Sequence, residues 1–148
     1  MHLDQIENDI WTIPAEAMKG RKGATTDFRV PLSVQALAVV EQASKKARDG
    51  YVFPSPKRGV ISDMTMSGLM KRRGMEARPH GFRSSFRDWV EEATNTPYEV
   101  AETALGHVVG GIVERAYRRT DHIEHRRTLM QRWADYVSQK QTDIVRIG

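Results

Sequence analysis

The chain has 148 residues, 39% apolar and 28% charged, with no cysteine and a formal net charge of +4. That length and balance fit one soluble domain with a sizeable core and exclude collagen-like and mucin-like chains, while the missing thiols exclude disulfides, thiolate zinc sites and cysteine nucleophiles. No apolar run approaches the roughly 20 residues that cross a bilayer, no signal-peptide pattern opens the chain, and a pI near 9.6 hints at a polyanionic partner, so a cytoplasmic protein is expected.

Alternation around Ile10-Trp11-Thr12-Ile13, stopped by Pro14, reads as a strand, and Phe28 to Pro31 as a second. The glycines and basic residues of Met18-Lys19-Gly20-Arg21-Lys22-Gly23 suit a hairpin tip between them. Ser33 has N-cap chemistry, with Val34, Leu37, Val40, Ala43 and Ala47 at helical spacing until Gly50 supplies a stop. Tyr51 to Phe53 reads as extended before a proline-rich loop. Ser62 and Asp63 can start a helix carrying Met66, Leu69 and Met70, closed by Lys71-Arg72-Arg73 and Gly74. Pro79 introduces a helix with Phe82, Phe86, Trp89 and Val90 on one face. Thr96-Pro97 is an N-cap and N1 pair for a helix through Val100, Ala101, Ala104 and Leu105 to Gly106. Residues 112–119 read as a short helix. The closing helix places Ile123, Leu129, Met130, Trp133 and Val137 inward and leaves Arg126, Arg127 and Arg132 to solvent. The class expected is α+β, mainly α, with a small antiparallel β-ribbon near the N-terminus.

Chemistry is suggested by residues scattered along this plan. His80 and Arg83 stand three apart at a helix start, which puts both side chains on one face near the positive end of the helix dipole. Together they could hold a phosphate, Arg83 by bidentate bonds and His80 by a hydrogen bond or a proton. Alone, the pair reads as a capping histidine and a solvent-facing arginine. His107 follows Leu105-Gly106 at a helix end and, taken singly, reads as a cap that bonds a carbonyl there. Tyr117, beside Arg118 and Arg119, is either a half-buried packing residue or a phenol whose ionisation nearby cations favour. Lys19 is an exposed hairpin lysine or a general acid on a flexible turn. His122 and His125 read as solvated helix residues rather than half a metal site, and Lys71-Arg72-Arg73 as a charged helix end or a phosphate-backbone contact.

In chain order, Lys19, His80-x-x-Arg83, Leu105-Gly106-His107 and Tyr117 resemble the catalytic half of a tyrosine recombinase. Ile10-Trp11-Thr12-Ile13-Pro14, the run from His80 to Trp89, and Ala116-Tyr117-Arg118-Arg119-Thr120-Asp121 are similar to the prophage integrases in particular. The resemblance covers nearly all of the chain, and several separated motifs in order carry weight that none carries singly. It implies that Tyr117 attacks a DNA phosphodiester to form a 3′-phosphotyrosyl bond. Arg83 and His107 would stabilise the transition state, His80 would assist proton transfer at the phenol, and Lys19 would protonate the 5′ leaving group. Arg21, Lys22, Arg118 and Arg119 would contact the DNA. Neither metal nor cofactor is implied.

The family's further phosphate-binding arginine lies upstream of the first strands, and its DNA-clamping domains lie upstream of that. Residues 1–148 are therefore expected to form a partial catalytic domain with impaired site-specific recombination and integration of a prophage or mobile element. A noncatalytic DNA-binding remnant of a prophage integrase is the alternative. The implied partner is double-stranded DNA at attachment sites, with no membrane and a tetramer on DNA in the intact family.

Overall fold

A computed structural model describes residues 1–18, 26–107, 109–111 and 120–139. Strands β1 (Ile6–Glu7), β2 (Ile10–Ile13) and β3 (Phe28–Pro31) form an antiparallel sheet in that order. The sheet has one strand more than the expected ribbon. Register pairs Glu7 with Ile10 and Trp11 with Val30, leaving Asn8-Asp9 as a two-residue turn. Asn8 takes a φ of 54° there, a left-handed conformation that asparagine tolerates better than most residues. The expected hairpin tip lies largely at 19–25, outside the described residues.

Helix α1 (Val34–Ser44) starts as the sequence predicts: Ser33 Oγ accepts from the Ala36 amide at 3.2 Å. It ends earlier than Gly50. The Ser44 hydroxyl donates back to the Val40 carbonyl at 2.7 Å, and Asp49 and Gly50 reverse the chain with φ of 52° and 78°. A Cβ on Gly50 would stand 2.0 Å from the His2 ring, so this position accepts glycine for space as well as for angle.

Helix α2 (Met64–Arg72) begins where Ser62 Oγ accepts the Met64 amide at 3.2 Å. Of its apolar residues Met70 is buried, while Met66 and Leu69 are exposed. Helix α3 (Gly81–Ala93) buries Phe86 and Val90, but Phe82 is 54% exposed, so the apolar face begins one turn later than expected. Helix α4 (Tyr98–Ala104) has Pro97 at its N-cap. Thr96 is not the cap; its hydroxyl oxygen accepts from Thr94 at 2.8 Å. The last helix described, α5, runs Ile123–Ser138. The short helix expected at 112–119 lies outside the described residues.

Phe86, Val90, Val100, Ala101 and Leu129 form the core where α3, α4 and α5 meet, and Trp89, Ala104, Leu105, Met130 and Trp133 pack around it. Trp133 carries an edge-on contact to Phe86 at 5.5 Å and lies 5.1 Å from Trp89. Such pairs add about 0.5–1.5 kcal/mol each beyond their buried area. Helix α1 is joined to α5 by polar bonds: the Val34 amide to Gln131 Oε1 at 3.0 Å, and Gln35 Nε2 to Asp135 Oδ1 at 2.7 Å.

Arg126 corrects the sequence reading. Its solvent-facing assignment fails because the side chain is 1% exposed. Nε donates to the Asp121 carbonyl at 2.8 Å, Nη1 to the Arg29 carbonyl at 2.7 Å, and the guanidinium lies 5.1 Å from the Phe28 ring centre. Burial pushes it below the ordinary arginine range, and Asp121 at 3.3 Å works in the opposite sense. Asp121 also binds Arg29 at 2.8 Å, so one carboxylate links β3 to the start of α5. His122 is likewise less solvated than expected, at 19% side-chain exposure in a left-handed N-cap with φ 56°. No helix among the described residues is long and apolar enough to cross a membrane.

Candidate active site

The end of α4 sets the site. Leu105 is its C-cap and Gly106, with φ 70°, the first residue beyond. The Gly106 amide donates to the Thr103 carbonyl at 2.9 Å and the His107 amide to the Glu102 carbonyl at 3.0 Å. This paired closure is a Schellman motif, which needs the left-handed angle that glycine adopts without strain. Its consequence is positional: His107 is folded back over the last turn and above Glu102.

Arg83 reaches the same place from the first turn of α3. Its Nη2 donates to the Leu105 carbonyl at 2.7 Å and lies 2.7 Å from His107 Nε2. Nδ1 of His107 lies 2.7 Å from Glu102 Oε2, and Arg87, one turn after Arg83, donates from Nε to Glu102 Oε1 at 2.7 Å. The row Arg83, His107, Glu102, Arg87 thus joins α3 to α4 by polar contacts. Arg87 is held further by Glu91 at 3.6 Å and by the Tyr98 ring, 5.3 Å from centroid to guanidinium carbon.

Sequence motifs 24 residues apart, His80-x-x-Arg83 and Leu105-Gly106-His107, therefore meet at one spot through Arg83 and His107. His80 is the exposed N-cap residue of α3, and among the described residues its ring makes no hydrogen bond. Lys19, Arg21, Lys22, Tyr117, Arg118 and Arg119 lie outside the described residues. Sequence reasoning missed Glu102 and Arg87. The signal available for Arg87 was its spacing of one helical turn from Arg83; for Glu102 it was its position at the third residue from the helix end, the carbonyl partner of any glycine-closed cap.

The His107 hydrogen bond is the largest cause holding Glu102 below the ordinary carboxyl range; burial opposes it, and Arg87 adds its own bond and charge. The sign of the pH effect follows. The unfolded carboxyl takes up its proton near its ordinary value of 4.5, before the folded one does. Stability from this group is therefore complete above that value and is lost as pH falls toward the lower folded one. Glu102→Gln should flatten this acid limb, seen as a smaller dependence of the urea midpoint on pH between roughly pH 5 and 3. An unchanged slope would show that the carboxylate is not held as described.

The described residues thus form an α+β domain in which an arginine of α3 and a histidine just past α4 meet at the joint of the two helices. The model of the phage integrase family matches residues 1–123, and the chain belongs to that family. Among curated relatives, it is similar to the prophage integrase IntA of Escherichia coli, 38% identical over 133 residues that cover 86% of this chain and 31% of the relative. The integrase of Shigella phage Sf6 is 33% identical over 141 residues, covering 91% of this chain and 35% of the relative. The prophage integrase IntS of Escherichia coli has the same identity and coverage. The chain spans about a third of the length of these relatives. No solved structure gives a significant match.

Proposed function

We propose that this chain carries the strand-transfer centre of a site-specific DNA recombinase that works through a 3′-phosphotyrosyl intermediate. The observation that carries the reading is the approach of Arg83 to His107, 2.7 Å apart from two separate motifs, in a chain of the phage integrase family. A phosphodiester resting there would meet a forked guanidinium and an imidazole that becomes a donor once Nε2 is protonated, a pair suited to the charge that develops on its nonbridging oxygens. Tyr117 Oη attacks phosphorus, its proton passing to His80. The bond to the 5′ oxygen breaks, and that oxygen takes a proton from Lys19. The phosphotyrosyl ester conserves the bond energy, so a second DNA end can attack it and reseal without ATP.

Double-stranded DNA at attachment sites is the partner in this reading, with Arg21, Lys22, Arg118 and Arg119 on its backbone and four copies assembled on two duplexes. Binding should weaken steeply with salt, because each neutralised phosphate releases counterions. The test incubates the chain with nicked attachment-site DNA and resolves covalent species on a denaturing gel. A protein–DNA band that disappears in Tyr117→Phe supports the reading. A band that persists in that variant removes Tyr117 as nucleophile, and salt-sensitive binding with no band in either protein replaces strand transfer by a noncatalytic DNA-binding role.

A further inference from the structure

We infer that Glu102 is a positioning residue that fixes the tautomer and orientation of His107, and so aims that ring and Arg83 at one anion site. The inference rests on the strand-transfer reading for its purpose, but its geometry stands in the free protein. A guanidinium only donates hydrogen bonds. With Arg83 Nη2 at 2.7 Å, Nε2 of His107 is the acceptor, which leaves Nδ1 to carry the proton and donate to Glu102 Oε2 at 2.7 Å. Which imidazole nitrogen bears the proton is set by the bond that the other nitrogen makes.

Glu102 is well placed to impose that choice. Its side chain is 13% exposed and both carboxylate oxygens are engaged, Oε2 by His107 and Oε1 by Arg87 at 2.7 Å. Its backbone carbonyl also receives the His107 amide at 3.0 Å. One residue therefore grips His107 by main chain and by ring, and Arg87 prevents the carboxylate from turning away. When a phosphate arrives, Arg83 can redirect its free donors to the oxygens. For His107 to donate as well, Nε2 must gain a solvent proton; the carboxylate already on Nδ1–H offsets the resulting charge and keeps the ring in place.

The serine-protease triad offers the physical parallel, since there a carboxylate holds the histidine in its working tautomer. The His107–Glu102 pair is nearer to solvent, so a smaller effect is expected. At metal sites, loss of the partner that orients a ligating histidine costs about tenfold to a hundredfold, and a loss of that order is expected here.

The test labels histidine with nitrogen-15 in the full chain and reads the His107 tautomer from long-range proton–nitrogen spectra at mildly alkaline pH, with His107→Asn giving the assignment. The wild type should show Nδ1–H. Glu102→Ala should move His107 toward Nε2–H and slow covalent complex formation by about tenfold to a hundredfold. Glu102→Leu keeps much of the volume but offers no acceptor to Nδ1–H, so it should shift the tautomer in the same sense if the alanine variant fails to fold. Wild-type His107 already in the Nε2–H form, or an unshifted tautomer in a folded variant, would overturn the inference. Absence of any covalent product from the wild type would count against strand transfer alone, because the tautomer signature is read in the free protein.

Discussion

On the proposed strand-transfer reading, Arg83→Ala should slow DNA strand cleavage by about 10²–10³, the usual cost of removing one preorganised donor from a developing oxyanion. The same change should cost only about 1 kcal/mol of stability, since the folded state loses contacts to the Leu105 carbonyl and to His107 Nε2, each at 2.7 Å, from an exposed side chain. Arg83→Lys restores the charge but not the planar fork, and should recover little of the rate. Single-turnover cleavage of nicked DNA beside a urea midpoint separates the two effects. A rate within twofold of wild type in a fully folded Arg83→Ala protein would detach Arg83 from the chemistry.

Arg126→Met should have the opposite profile, a large loss of stability whatever the activity. The 1%-exposed guanidinium serves the carbonyls of Asp121 and Arg29 and the Asp121 carboxylate, and stacks over Phe28. Methionine occupies much of the volume but donates nothing, leaving the Arg29 carbonyl without its partner and Asp121 with one cation fewer. Breaking a buried pair from one side costs about 3–5 kcal/mol. Asp121 is 36% exposed and keeps Arg29, which places this case near the lower end, about 3 kcal/mol. For a domain of this size that lowers the melting temperature by roughly 10 °C. Arg126→Lys retains the charge and can reach one acceptor, so it should fall between. Calorimetry showing a midpoint unchanged in Arg126→Met would mean that the network ties nothing together.

These two arginines also show what was legible in the sequence. Arg83 stood in a short motif at a helix start, and the local rules that place His107 beside it are written in Leu105-Gly106-His107. Helix starts at Ser33 and near Ser62-Asp63, the strands about Trp11 and Val30, and the α3–α4–α5 core were likewise set by local pattern. Arg126 was misread because periodicity ranks charged residues outward, and only the partner 97 residues earlier in sequence, the Arg29 carbonyl, explains its burial. Phe82 shows the converse error: it has the right spacing, but no described element covers that first turn of α3. Strand β1 is two residues long, too short to display alternation. Glu102 carries no motif of its own; it becomes visible once the helix cap folds His107 back over it.

The Arg126–Arg29 bond has a bearing on how the molecule is made. During synthesis the N-terminal ribbon emerges long before the helix whose guanidinium fastens it, and closing so long a loop is slow relative to local pairing. A ribosome-bound chain halted before α5 should therefore leave the ribbon open to protease, with protection gained only when α5 is free to pack against it.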